Sequence, residues 1–145
     1  MFSHVTIGTH DLERATAFYD ATLAPLGIER VSKKYPDWSA WQRPGEEAKF
    51  WVGRPYNKLP ASWGNGTMIA FTAQSRAAVD AAFAAALKVG GIDDGPPGFR
   101  PNFGPDYYGA YIRDPDGNKI HFVRIGEPYP ATNNDAQPFV AADGQ

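Results

Sequence analysis

The stretch Tyr107–Val123, YYGAYIRDPDGNKIHFV, decides how this chain is read. Asp114-Pro115-Asp116-Gly117-Asn118 is turn chemistry: Pro115 fixes its φ, the aspartates bond their own backbone, and Gly117 accepts a positive φ that other residues resist. The chain reverses here, and the residues after the turn alternate. Ile120 and Phe122 fall on one face, Lys119, His121 and Val123 on the other, the pattern of a half-buried strand. Across the turn, parity sets Tyr111 close to His121, to within a one-residue bulge. The hairpin thus carries a histidine and a tyrosine on one face.

Working outward, sliding the sequence against itself by 64 positions exposes an internal repeat. His4-Val5-Thr6-Ile7 lies over Met68-Ile69-Ala70-Phe71, Tyr19 over Phe83, Leu23 over Leu87, and Gly27-Ile28 over Gly91-Ile92. Each copy opens with an alternating strand and continues with apolar residues every three or four places: Leu12, Ala15, Tyr19, Leu23 and Leu26, then Val79, Phe83 and Leu87. That spacing predicts an amphipathic helix, with Asp11 and Glu13 favouring its first turn and Gly27 or Gly91 supplying a left-handed C-terminal cap. Further strands are predicted at 28–33, 38–43 and 49–52 in copy one, and at 98–102, 107–113 and 119–125 in copy two. Each copy reads as β-α-β-β-β. The expected organisation is a single domain over residues 1–126, with module one at 1–57, a Pro/Gly/Asn-rich linker at 53–66 and module two at 66–126. Residues 127–145 read as a polar arm anchored only by Phe139 and Val140. The fold class is α+β: two tandem βαβββ modules forming a cupped, partly open mixed sheet with helices outside.

Composition narrows the function. Of 145 residues 43% are hydrophobic, enough for a real core, and the formal charge of -2 comes from 14 basic and 16 acidic side chains. With no basic stripe, a nucleic-acid partner is not expected. The chain has no cysteine, and no apolar run reaches the roughly 18 residues of a membrane span, so neither a disulfide framework nor a membrane is expected. A cytoplasmic setting is.

The paired βαβββ plan, the opening FSHVTIGTHDLERATAFYDATLAPLGI and the closing YYGAYIRDPDGNKIHFV resemble the vicinal oxygen chelate superfamily of glyoxalases, bleomycin-resistance proteins, fosfomycin-modifying enzymes and extradiol dioxygenases. The resemblance spans residues 1 to 126. It implies a divalent metal in the cup, zinc, nickel or similar, held from the first strand of each module and the last strand of the second, commonly by His, His or Gln, and Glu. Carried onto this chain, it implies His4 as first ligand, Met68 where a second His is usual, and His121 where Glu is usual. Two of the three positions depart. The strand Lys49–Val52, which supplies a carboxylate in glyoxalases proper, offers none, and imidazole in place of carboxylate with thioether in place of imidazole suits softer metals.

The candidate site is therefore metal ligands His4 and His121, with Met68, Arg100, Tyr111, Trp38 and Trp41 lining the pocket. Each has a blander reading. A histidine on an inner strand face is often a hydrogen-bonded core residue, Met68 a flexible filler, and Tyr111 a wall or a general acid. Arg100 either holds an anionic group or extends its head to solvent, and the tryptophans pack core and linker. Asp114 and Asp116 are accounted for by the turn, Asp93-Asp94 by a solvated turn, and His10 by helix capping. Gly64-Asn65-Gly66 precedes a strand and lacks a third glycine, so no dinucleotide fingerprint is present. Two functions stand. One is a glyoxalase-like lyase or related enzyme whose metal polarises vicinal oxygens of a small substrate. The other is a metal-free binding or sequestering protein of the bleomycin-resistance type. A homodimer whose twofold joins sheets of two chains is expected in either case.

Overall fold

The computed structural model describes residues 1–31 and 35–126. The arm and its Phe139 and Val140, with part of the 28–33 segment, lie outside the described residues. Module one runs β1 (His4–Gly8), α1 (Leu12–Leu23), a 3-10 turn (Ala24–Leu26), β2 (Glu29–Arg30), β3 (Trp38–Gln42) and β4 (Lys49–Gly53). Module two runs β5 (Met68–Thr72), α2 (Arg76–Lys88), β6 (Ile92–Phe99), β7 (Tyr108–Arg113) and β8 (Lys119–Arg124). The strands form two four-stranded open sheets of matching order, β1-β4-β3-β2 and β5-β8-β7-β6, so the chain is α+β with two tandem βαβββ modules, as the repeat predicts. The opening strands occupy equivalent slots. β1 lies parallel to β4 with His4 opposite Lys49, and β5 parallel to β8 with Met68 opposite Lys119.

Both helices start on the residues their sequences favour. Asp11 accepts from the Arg14 amide and Ser75 from the Ala78 amide, each satisfying one of the four free N–H groups of a helix start and contributing about 1 kcal/mol. Gly27 takes the predicted left-handed conformation at φ 68°. In module two the positive φ falls at Gly90 (97°), not Gly91: α2 ends at Lys88, and a side chain at Gly91 would press on the Ala86 carbonyl, 2.8 Å from its Cβ position. The predicted apolar stripe of α2 is also shifted. Leu87 is 42% exposed, and the small Ala82 and Ala86 are buried beside Val79 and Phe83.

One core serves both modules. Ala15, Phe18, Tyr19 and Leu23 of α1 meet Trp41, Phe50 and Val52 of the first sheet, while Val79, Ala82 and Ala86 of α2 meet Ala110, Ile112, Ile120 and Phe122 of the second. The helices also pack on each other, and Phe50 of β4 meets Phe71 of β5 edge to face at 5.0 Å. The helix-covered faces of both sheets thus turn toward a shared interior, and the opposite faces point away from it. Strand parity holds: His4, Thr6, Met68, Ala70 and Thr72 are exposed, while Val5, Ile7, Ile69 and Phe71 are partly or fully covered.

Candidate functional site

The site is built from the Asp114 turn outward. Asp114 is 2% exposed; its Oδ1 accepts from the Asp116 and Asn118 amides, at 2.9 and 2.8 Å, and its Oδ2 from the Tyr19 hydroxyl and the Asn118 side chain, at 2.6 and 2.8 Å. Burial raises its pKa although these bonds oppose the rise. Asp116 reaches into module one, accepting from the Thr9 hydroxyl (2.6 Å), the His10 amide (2.9 Å) and the Arg14 guanidinium (3.0 Å). The aspartates are more than local turn formers: they fasten the β7–β8 hairpin to the start of α1. His10 meets Asp116 through its backbone, and the α1 cap is Asp11. Gly117, at φ 90°, lies under the Trp63 indole, where a Cβ would come within 2.6 Å of Cδ1.

The turn sets the register that pairs Tyr111 with His121. Their rings stack at 4.1 Å and 9°, and the Tyr107 ring lies nearly parallel to His121 from 5.8 Å. Nδ1 of His121 is 2.9 Å from the Ala110 carbonyl and Nε2 is 2.9 Å from the Tyr107 hydroxyl. A carbonyl can only accept, so Nδ1 carries the proton and Nε2 accepts from the phenol. The residue is 0% exposed. Burial first, then the Arg100 and Lys119 charges, lower its pKa from the ordinary 6.5, although the Ala110 carbonyl opposes them. Folded His121 therefore keeps its neutral form to lower pH than an unfolded His121, which takes up a proton below pH 6.5, so its contribution to stability is present above that pH and is lost as the pH falls from there through the lowered folded pKa. Denaturant unfolding between pH 7.5 and 5.5, measured on parent and His121→Gln, should show a steeper acid-side loss in the parent. The difference has a ceiling of about 1.4 kcal/mol per pH unit for one proton.

The first sheet presents its own open face. His4, Thr6, Trp38, Lys49 and Trp51 line a shallow hollow of about 670 Å³, with Tyr35 meeting Trp51 edge to face at 5.6 Å. His4 is exposed and its Nδ1 lies 2.9 Å from the Ser3 hydroxyl. A larger hollow of about 900 Å³ lies against linker residues Arg54–Ala61 and includes neither His4 nor His121. Trp38 borders both hollows. Trp41, expected as pocket lining, belongs to the other face: it is 1% exposed, packs against Tyr19 and Phe50, and donates its Nε1–H to Asp20. Strand alternation puts it, two residues from Ser39, on the helix side with that residue. Met68 is 41% exposed on the open edge strand of the second sheet. Asp93 and Asp94 are not a turn but part of β6, and Asp94 pairs with Arg113 (3.0 Å) and Lys119 (3.4 Å).

Within one chain the structure brings Tyr111, Arg100 and His121 together and sets His4 and Trp38 on the other sheet. The donors fit a divalent metal poorly. His121 has both ring nitrogens engaged, Met68 offers only a thioether, and no group of three or more His, Cys, Asp or Glu among the described residues is arranged to hold a metal ion. Tyr107 escaped the sequence reading. Its signal was Gly109, a mid-strand glycine with the parity of Tyr107 and Tyr111, which marks a close approach.

No helix among the described residues is long and apolar enough to cross a membrane. The family model for the Glyoxalase/Bleomycin resistance protein/Dioxygenase superfamily matches residues 1–122. A solved glyoxalase/bleomycin resistance protein from Albidiferax ferrireducens T118 is 43% identical, with 87% of this chain and 99% of that one covered at a TM-score of 0.76. A glyoxalase/bleomycin resistance protein/dioxygenase family enzyme from Burkholderia phytofirmans PsJN, 18% identical over 86% and 98% at 0.67, shares the fold. So does a lactoylglutathione lyase from Agrobacterium tumefaciens, 22% identical over 86% and 92% at 0.61. The comparison with curated proteins returned no match. With the paired modules and the Asp114 hairpin described, the family match over residues 1–122 leads to one conclusion: the chain belongs to the Glyoxalase/Bleomycin resistance protein/Dioxygenase superfamily.

Proposed function

We propose that the protein binds a small molecule without a resident divalent metal, in a cup formed between the first sheet of one copy and the second sheet of another. The observation that carries the metal-free reading is the state of His121: proton on Nδ1 toward a carbonyl, Nε2 occupied by a phenol, ring between two tyrosines. Freeing Nε2 for a metal would cost the Tyr107 bond in a buried setting, about 1 to 3 kcal/mol, before the shortage of carboxylate is met. Neutral imidazole, phenols and indoles suit an aromatic pocket with a few polar groups.

The shared cup rests on the direction of the sheets. Both turn their helix-covered faces to one core, so His4, Trp38 and Trp51 on one side and Met68, Tyr111 and Arg100 on the other are separate half-sites. A twofold laying one half-site over its counterpart in a second copy would place His4 of one protomer across from His121 of its partner. Such an interface is self-complementary and occurs twice per dimer.

Sedimentation and calorimetry together test this reading. At tens of micromolar the protein should sediment as a dimer, since an obligate interface is filled at that concentration, and titration with zinc or nickel should give no stoichiometric heat. A monomer at that concentration overturns the shared cup. One metal per chain, abolished by His121→Gln, overturns the metal-free reading in favour of the metal-dependent one.

A further inference from the structure

Arg100 has an unusual seat. It follows the stretch Gly95-Pro96-Pro97-Gly98-Phe99, where β6 slips register against β7 between Asp93 and Gly95 and again between Gly95 and Gly98. The guanidinium folds back over this slipped segment, its Nη2 donating to the Pro96 carbonyl at 2.7 Å and its Nη1 to the Phe99 carbonyl at 3.3 Å, and lies 5.6 Å from the centre of the Tyr111 ring. Two glycines make the space. A Cβ on Gly95, which holds φ 148°, would stand 2.9 Å from Tyr111 Cδ2 and 3.6 Å from Arg100 Nη2; one on Gly98 would stand 3.0 Å from Nη1. An arginine extending to solvent needs neither the glycines nor the carbonyls. This one is half-buried and fixed against an aromatic face.

Its charge is also unanswered. Arg14 pairs with Asp116, Arg43 with Glu46, and Arg113 and Lys119 share Asp94. Among the described residues no carboxylate pairs with Arg100, whose contacts are two neutral carbonyls and a ring. Five N–H donors in a planar fork suit an oxyanion, and two of them hold the fork in place. Around it stand Tyr107 and Tyr111, whose phenol pKa values burial raises from the ordinary 10.0, and the Lys119 ammonium 5.1 Å from the centre of the Tyr111 ring.

We propose that Arg100 is the anion anchor of the cup, and that the ligand carries an oxyanion, carboxylate or phosphate, which pairs with the Arg100 guanidinium beside Tyr111. The proposal rests on the cup reading for what surrounds the ligand, but every residue of the anchor belongs to one chain.

The test is titration of the full chain with sodium benzoate and with inorganic phosphate, followed through the amide resonances of Gly98, Tyr111 and His121, with benzamide as the neutral counterpart of benzoate. At least one oxyanion should shift these resonances saturably, benzamide should not, and the tighter oxyanion identifies the group. Arg100→Gln should weaken binding at least about tenfold, as loss of a charge-assisted pair predicts, and Arg100→Lys should retain part of it. Lack of saturation by both oxyanions overturns the anchor; so does benzamide binding as well as benzoate, or parent-like affinity in Arg100→Gln. Sedimentation of the same samples keeps the two readings apart. A dimer that ignores both oxyanions loses the anchor and keeps the cup, whereas a monomer that binds them through Arg100 loses the shared cup and keeps the anchor.

Discussion

Asp114→Ala should lower the stability of the protein by about 3 to 5 kcal/mol, the range for breaking a buried charged network, and its Tm by roughly 10 °C. The substitution removes four hydrogen bonds and strands the Tyr19 hydroxyl, on a side chain that is 0% exposed. Asp114→Asn separates charge from connectivity. It keeps an acceptor for the Asp116 and Asn118 amides but turns an amide toward Tyr19 and Asn118, so a smaller loss is expected. The pH dependence carries a sign. Burial raises the folded pKa above the ordinary 3.8, so between those values the native state holds the proton more often than the unfolded chain. The contribution of Asp114 is therefore largest at the acid end and declines as pH rises through the folded pKa. Denaturant unfolding from pH 3.5 upward should show this declining limb in the parent and not in Asp114→Asn. An alanine variant as stable as the parent would mean that the turn does not fasten the two modules.

Gly109→Ala should cost about 1 to 3 kcal/mol or more, an unusually large penalty for one methyl group. The added Cβ would stand 2.3 Å from Cε1 of His121 and 2.9 Å from the Phe122 carbonyl. A flexible side-chain tip could move aside. The imidazole cannot move freely, because Ala110, Tyr107 and the Tyr111 ring hold it. Removing the obstacle should remove the strain: in a cycle with His121→Ala, Gly109→Ala should be far less harmful, with a coupling of about 1 kcal/mol or more. Additive losses would show that His121 is not held where the structure has it. The aromatic resonances of Tyr107 and Tyr111 should shift in the single variant, because the ring stack is displaced.

The repeat, the turn and the alternation of apolar residues were legible in the sequence, because each depends on spacing along the chain. A 64-residue offset, Asp-Pro-Asp-Gly-Asn, and alternation after the turn suffice for two βαβββ modules and for Tyr111 opposite His121. The first turn of α1 was legible through Asp11 and Glu13, but its cap is Asp11 and not His10, and the Ser75 cap of α2 emerged only from the structure. The C-cap of α2 was missed because two adjacent glycines satisfy the same pattern, and only backbone geometry selects Gly90. The site was legible only in part. Trp41 and Trp38 are three residues apart on one strand, and which of them meets the helix depends on how α1 lies across the sheet. Asp94, at the point where β6 slips register, pairs with Arg113 and Lys119, and the glycines of the slipped segment leave the space in which Arg100 lies over Tyr111. The direction in which the sheets face was decided by the tertiary structure alone. It follows from α1 packing on α2 and Phe50 on Phe71, contacts between modules whose energy depends on surfaces meeting in space and leaves no periodicity in the chain.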